Sequence, residues 1–161
     1  MSIVKRATTR PSLAVNVGRG ALAGVAGSVV MTAFQKFVEM PISEREDSYG
    51  PAELAQKLLP VNPSTEAGKK RLNYAVHTAL GAMWGAAYGV AAHKGLRGPR
   101  GAAATFGAIY TQDLVMITAL GLDKPWTWSR KEATIDVLDK AVVIAATGAI
   151  FDRVLGPNAR L

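Results

Sequence analysis

The chain has 161 residues, a length that suits a single domain. Hydrophobic residues make up 49% of it, its formal net charge is +7, and it contains no cysteine. The lack of cysteine excludes disulfides, thiolate metal sites and cysteine nucleophiles. Lys and Arg are scattered and not interleaved with stacking aromatic residues, so nucleic acid is not an expected partner. A basic excess beside apolar segments favours the anionic surface of a lipid bilayer instead.

Three long stretches with few charged residues distinguish a membrane protein from a soluble one. Residues 20–35 and 72–92 contain no Asp, Glu, Lys or Arg, and residues 101–122 contain only Asp113. A bilayer core about 30 Å thick is crossed by roughly 20 apolar residues in a helix. A soluble four-helix bundle, which is the alternative, would carry charged residues along its outer face. We therefore predict an all-α integral membrane four-helix bundle.

The fourth predicted span contains charged residues but has clear helix signals. Ser129 and Glu132 fit a capping box, in which each side chain bonds a free backbone N–H at the start of the helix. Trp126 and Trp128 precede it, where aromatic residues anchor a helix at the lipid headgroups. Residues 1–161 are thus predicted to form a single membrane domain, with spans at about 18–38, 71–93, 101–122 and 131–154.

The distribution of Lys and Arg predicts the orientation. Lys5, Arg6, Arg10 and Arg19 precede the first span, and the loop at residues 93–100 is also basic. A cleaved signal peptide is the alternative for the first segment, but no convincing small-residue cleavage site follows it. The positive-inside rule then predicts an N-in, C-in, multi-pass protein of the bacterial plasma (inner) membrane.

The first external loop contains a helix signal and an acidic stretch. The segment "SYGPAELAQKLL" predicts a turn and then a short helix with Pro51 in its first turn. This helix is expected to lie at the membrane interface or, alternatively, to be an ordinary loop helix. A solvated surface is expected for the acidic residues Glu39, Glu44, Glu46 and Asp47, with weak binding of a cation as the alternative.

Glycines recur every four residues in the first two predicted spans. In lipid, helices associate through close van der Waals approach, so rows of small residues at this spacing mark helix contacts. His77 lies one spacing before the second row and is expected to face protein. We predict helix packing at Gly20, Gly24, Gly81, Gly85 and Gly89.

Ionisable residues occur at similar depth within three of the predicted spans. They are predicted to form an intramembrane polar cluster of His77, Asp113, Asp136, Asp139 and Lys140. Asp136 and Lys140 are four residues apart and can neutralise each other, which leaves the others to share protons or find partners. An uncompensated carboxylate at the bilayer centre costs at least about 2.5–3.5 kcal/mol. The cluster is therefore a structural network, a path or pocket for protons, ions or a polar small molecule, or a catalytic centre.

Three parts of the chain form a recognisable pattern, namely "GALAGVAGSVVMTAFQKFVEMP" followed by "SERED", then "HTALGAMWGAAYGVAA", and a last helix closing on "FDR". Together these stretches resemble the YagU-like bacterial inner-membrane proteins. The resemblance covers most of residues 18–155 and implies a four-span plasma-membrane protein, in a family without an agreed activity. The chain departs from the family in a shorter first external loop and in Asp139-Lys140, where another polar choice is expected.

Sequence signatures of common enzyme classes, such as Gly-x-Ser-x-Gly and His-Glu-x-x-His, are absent from the chain. His93 lies at the opposite end of its predicted span from His77, so the two cannot share a metal. We predict no catalytic residue, metal or cofactor. We expect an accessory, scaffold or binding component whose partners are the lipid bilayer and either another membrane protein or a second copy of the chain. A proton, ion or small-molecule transport module is the alternative, and a membrane-embedded enzyme is the third option.

Overall fold

The structure is a computed structural model that describes residues 11–156, and within that range it is all-helical, with no strand. The basic residues Lys5, Arg6 and Arg10, on which the predicted orientation partly depends, lie outside the described residues. The α-helices are α1 (Leu13–Phe34), α2 (Met40–Ser43), α3 (Gly50–Leu58), α4 (Glu66–His93), α5 (Gly98–Ala119) and α6 (Arg130–Ile150). Turns of π-helix follow α1 and α6 at Gln35–Glu39 and Phe151–Leu155, and a 3-10 turn precedes α6 at Pro125–Thr127.

Hydroxyl side chains begin three of the four long helices. The Ser12 hydroxyl accepts from the Val15 N–H at 3.3 Å at the start of α1. The Thr65 hydroxyl does the same for α4, so this helix begins before the predicted span and includes a charged first turn. The predicted capping box of Ser129 and Glu132 is present at the start of α6 and is confirmed. The short helix predicted in the first external loop is α3.

Close backbone contact joins α1 to α4, which run antiparallel. A Cβ atom added at Gly85 would lie 2.6 Å from the Cα atom of Gly24, so a side chain there would force the helices apart. Similar contacts involve all the predicted packing glycines, namely Gly20, Gly24, Gly81, Gly85 and Gly89. The glycines therefore determine how closely these two helices approach.

The other two long helices complete the packing around α1 and α4. α6 runs antiparallel to α1, with Gly27 against Thr147, and α5 packs against both α4 and α6. Two small apolar cores result, one around Tyr88 and Phe151 and the other around Met31, Ile109, Val143 and Ile144. The helix α3 lies on α4, where the Asn73 side chain accepts from the Ala52 N–H at 3.0 Å and donates to the Ser48 carbonyl at 3.0 Å.

In the described part of the chain, one continuous helical segment is long and apolar enough to cross a membrane. It is Leu13–Ser43, whose most apolar 18-residue window has a mean hydropathy of 1.4. The core helix of a soluble protein can also meet this criterion, but such a helix is mostly buried, whereas only 28% of the most apolar part of this segment is buried. The other long helices are less hydropathic because Ala, Gly, Thr and inward-facing ionisable residues replace larger apolar ones.

The outer faces of the four long helices share one property. Within residues 13–35, 72–92, 101–122 and 133–152, every exposed residue is uncharged. On α1 the exposed side chains include large apolar ones, such as Leu22 and Val29, which are 63% and 66% exposed. The charged residues of these ranges are all buried or half-buried.

Candidate functional site

A cavity of about 730 Å³ lies among the four long helices, at the end where α1 finishes and α6 begins. Its floor is near Ser28 of α1 and Trp84 of α4, and its mouth is covered in part by the segment from Arg45 to Leu54. All members of the predicted polar cluster line it, namely His77, Asp113, Asp136, Asp139 and Lys140. The structure divides these residues into two hydrogen-bonded groups and leaves His77 apart from both.

The first group, hereafter the Lys140 group, contains Lys140, Asp113 and Asp136. The Lys140 ammonium lies 3.1 Å from an Asp113 carboxylate oxygen and also contacts Asp136, as the spacing predicted. It also lies 5.6 Å from the centre of the Tyr110 ring. Asp113, which the spacing of residues does not pair with Lys140, is thus a second partner of this ammonium. One cation therefore faces two carboxylates.

The second group, hereafter the Arg45 group, contains Asp139, Gln35, Arg45 and Glu39. The Gln35 amide donates to an Asp139 carboxylate oxygen at 2.6 Å, and the Arg45 guanidinium lies 3.4 Å from the same oxygen. Asp139 and Lys140 are adjacent in α6, so their side chains point about 100° apart around a helix with 3.6 residues per turn. Asp139 therefore reaches Gln35, whereas Lys140 reaches Asp113. The two neighbouring side chains of α6 thus enter different groups.

Arg45 reaches the second group because the chain folds back just after α2. Glu44 has φ 53°, a left-handed conformation that reverses the backbone direction. The Arg45 guanidinium then binds Glu39 through two contacts of 2.7 and 3.3 Å, and the Ser43 hydroxyl donates to Glu39 at 2.6 Å. The hydrogen bond with Glu39 is the main reason that the pKa of Arg45 is raised above its usual value.

The structure corrects one sequence-based expectation about this loop. Glu39 was expected to be solvated with the other acidic residues, but it is 5% exposed and paired with Arg45. Glu44, Glu46 and Asp47 are exposed as expected. The acidic-basic composition of the loop gave no indication that one acid and one base turn inward, because that depends on the backbone reversal at Glu44.

Each group leaves one carboxylate oxygen without a partner among the described residues. These are the Oδ2 atom of Asp136 and the Oδ1 atom of Asp139, both buried. The two groups together contain four carboxylates and two cations. Lys131, whose ammonium donates to the Ser43 carbonyl, is exposed and does not line the cavity. Buried acceptors without a donor cost free energy, so the groups are not a fully satisfied structural network.

His77 lines the cavity beside Leu80 and Trp84 and is half-buried. No hydrogen bond joins it to a carboxylate in the described part of the chain. The predicted anchors also differ from each other. Trp126 is 70% exposed, whereas the Trp128 ring N–H donates to Asp123 at 2.9 Å and its side chain lines the cavity. Their role as interface anchors stays a prediction.

A second polar contact lies at the opposite end of the molecule and was not predicted. One Asp152 carboxylate oxygen accepts from the Tyr88 hydroxyl at 2.6 Å and from the Gly98 N–H at 2.8 Å. Because Gly98 is the first residue of α5, Asp152 ties the end of α6 to the start of α5. No local sequence pattern indicates this contact, because Tyr88 and Asp152 are 64 residues apart in the chain.

Within residues 11–156 no group of three or more His, Cys, Asp or Glu side chains is arranged to hold a metal ion. No known family model, curated protein or solved structure matches this chain. The functional conclusion therefore depends on the cavity and its two charged groups.

Proposed function

We propose that the chain is a four-span helical membrane protein that binds a polar small molecule in the cavity between its spans. The observation that carries this proposal is the cavity itself, where ionisable side chains from three long helices and the loop after α2 converge. Its volume of about 730 Å³ falls in the range of small-molecule sites.

The uncharged outer faces of the four long helices support the membrane part of the proposal. A water-soluble bundle carries charged residues on its exposed faces, and none is exposed over the four ranges described above. The ionisable residues instead face the interior, as those of membrane helices do when they serve a ligand or ion path. This distribution supports α4, α5 and α6 as spans even though their mean hydropathy is lower than that of α1.

In the proposed orientation the cavity opens away from the cytoplasm. Positive-inside reasoning places the basic loop at residues 93–100 inside, and the cavity lies at the other end of α4. We propose the bacterial plasma membrane as the location and keep the relationship to the YagU-like proteins as part of the proposal, on the motifs quoted above. The helix α3 then covers the cavity at the outer surface.

Binding is favoured over a purely structural scaffold for one reason. A polar network that serves only to hold helices together is expected to satisfy its own hydrogen bonds. Here Asp136 and Asp139 each keep a buried oxygen without a donor; Asp152 does so too at the other end of the molecule, but Asp136 and Asp139 also line the cavity. An accessory role with a membrane-protein partner or a second copy of the chain is compatible with binding, and it would be built on the same site.

Transport is the second candidate, and it rests on the closed inner end. Beyond Ser28 and Trp84 the cavity stops, where α1 and α4 are in backbone contact at their glycines. The contact of Tyr88 with Asp152 lies at that end as well. A site open to one side and closed to the other fits one state of a transporter, and solute flux into liposomes would distinguish transport from simple binding.

The absence of native cysteine allows a direct test of the cavity by single-cysteine labelling. Thr32 lines the cavity and is half-buried, whereas Val29, on the same helix, is 66% exposed on the outer face. In membranes, a charged methanethiosulfonate reagent should modify Thr32→Cys at least tenfold faster than Val29→Cys. Faster reaction of Val29→Cys would refute the proposal, because it is the order expected of a soluble protein.

A further inference from the structure

We propose that the molecule bound in this cavity is an organic ammonium ion, held by hydrogen bonds from its N–H groups to Asp136 and Asp139. This inference rests on the proposed function, since it requires the cavity to be a binding site. It names the chemical class of the ligand that the same site would take.

The first support is the excess of negative charge. The cavity wall carries eight carboxylates, against four cationic side chains, which are Lys36, Arg45, Lys70 and Lys140. The excess is also present among the inner residues, where the Lys140 group and the Arg45 group together hold four carboxylates and two cations. In a partly desolvated cavity such an excess attracts a cation and repels an anion.

The second support is the position of the free acceptors. Asp139 is 9% exposed, and its Oδ1 atom has no donor among the described residues, while its Oδ2 atom is held by Gln35. The Oδ2 atom of Asp136 is also without a donor, and both residues line the cavity. An ammonium group has up to three N–H donors and no acceptor, so it complements two unoccupied carboxylate oxygens.

The two inner cations of the cavity are poorly placed to receive an anion. The Arg45 guanidinium binds both oxygens of Glu39 and approaches Asp139. The Lys140 ammonium is shared between two carboxylates. An anionic ligand would have to displace these pairs, which are stronger than ordinary hydrogen bonds because both partners are charged.

Aromatic side chains at the mouth add a third support. Tyr49 and Tyr74 line the cavity, and each already has a lysine ammonium over its ring, Lys69 at 4.6 Å and Lys36 at 5.3 Å. The rings thus hold ammonium groups of the chain itself. Trp84 also lines the cavity, deeper inside, so an aromatic residue lies near its floor as well.

The test is calorimetric titration of the full chain in lipid nanodiscs with four probes of similar size. They are 1,4-diaminobutane, n-butylamine, 1-butanol and butyrate. We expect saturable binding of at least one amine, and affinities at least tenfold weaker for the alcohol and the acid. Asp139→Asn should weaken amine binding at least tenfold, and Asp136→Asn, tested as a second variant, should also weaken it.

Glu44→Gln is the matched control, because Glu44 is exposed and lies outside the cavity wall. It should leave amine affinity unchanged, and a tryptophan-fluorescence melt should show that each variant is folded. Preferential binding of butyrate or butanol, or amine binding unaffected by both aspartate variants, would overturn the ammonium proposal while leaving a binding cavity. Absence of amine binding would also overturn it. The proposed function is tested separately by cysteine labelling, and it fails if Val29→Cys reacts faster than Thr32→Cys.

Discussion

Replacing Lys140 with methionine tests whether the charges inside the molecule depend on one another. The substitution keeps a long, unbranched side chain but removes the cation that faces Asp113 and Asp136. The side chains of Lys140 and Asp113 are each 13% exposed, and that of Asp136 is 24% exposed, so water cannot readily replace the missing charge.

Removing one partner of a buried ion pair costs roughly 3–5 kcal/mol. Because Asp136 is partly open to the cavity, we expect the lower part of that range, about 3 kcal/mol for Lys140→Met. The free energy of unfolding would be measured by titration with sodium dodecyl sulfate in mixed micelles, followed by circular dichroism. The matched control is Lys57→Met, since Lys57 is exposed on α3 and should change stability by no more than about 0.5 kcal/mol.

If the loss of stability comes from unpaired charge, removing the two carboxylates as well should restore part of the free energy of unfolding. Adding Asp113→Asn and Asp136→Asn to Lys140→Met removes the unbalanced charges and should recover at least half of the lost stability. A stability of Lys140→Met equal to that of Lys57→Met would refute the argument. So would a triple variant no more stable than Lys140→Met, because the loss would then come from packing alone.

Two glycine substitutions of the same chemistry should have opposite effects in the same titration. Gly85→Ala places a methyl group against the Gly24 backbone and should cost about 1–3 kcal/mol, the usual range for overpacking. Gly107→Ala, in α5, meets nothing within 4 Å and should stabilise the protein by about 0.5–1 kcal/mol, since alanine has the better helix propensity. Equal effects at the two positions would show that α1 and α4 are not in backbone contact.

Local patterns in the sequence predict the long helices and some of their details. The capping box at Ser129 and Glu132 and the pairing of Asp136 with Lys140 depend on residues three or four positions apart, and both are present. The glycine rows likewise mark a face of α1 and of α4 that the structure brings together. Period and spacing are sufficient for these features because each is formed within one helix or along one helix face.

Partners that are distant in the chain could not be predicted in this way. Asp139 pairs with Gln35 and Arg45, which are 104 and 94 residues away. Helical geometry shows that Asp139 and Lys140 point in different directions, but it does not show which helix each one faces. The inward turn of Arg45 depends on a left-handed residue at Glu44, an amino acid for which that conformation is uncommon.

Labelling of two loops in intact bacterial cells tests whether the chain crosses the membrane four times with its cavity outside. Ser48→Cys lies in the segment over the cavity, and Lys94→Cys lies in the loop after α4; both positions are exposed. With four spans and the cavity outside, a membrane-impermeant maleimide should label Ser48→Cys in intact cells and Lys94→Cys only after permeabilisation. Labelling of both cysteines only after lysis, with the protein in the soluble fraction, would contradict it.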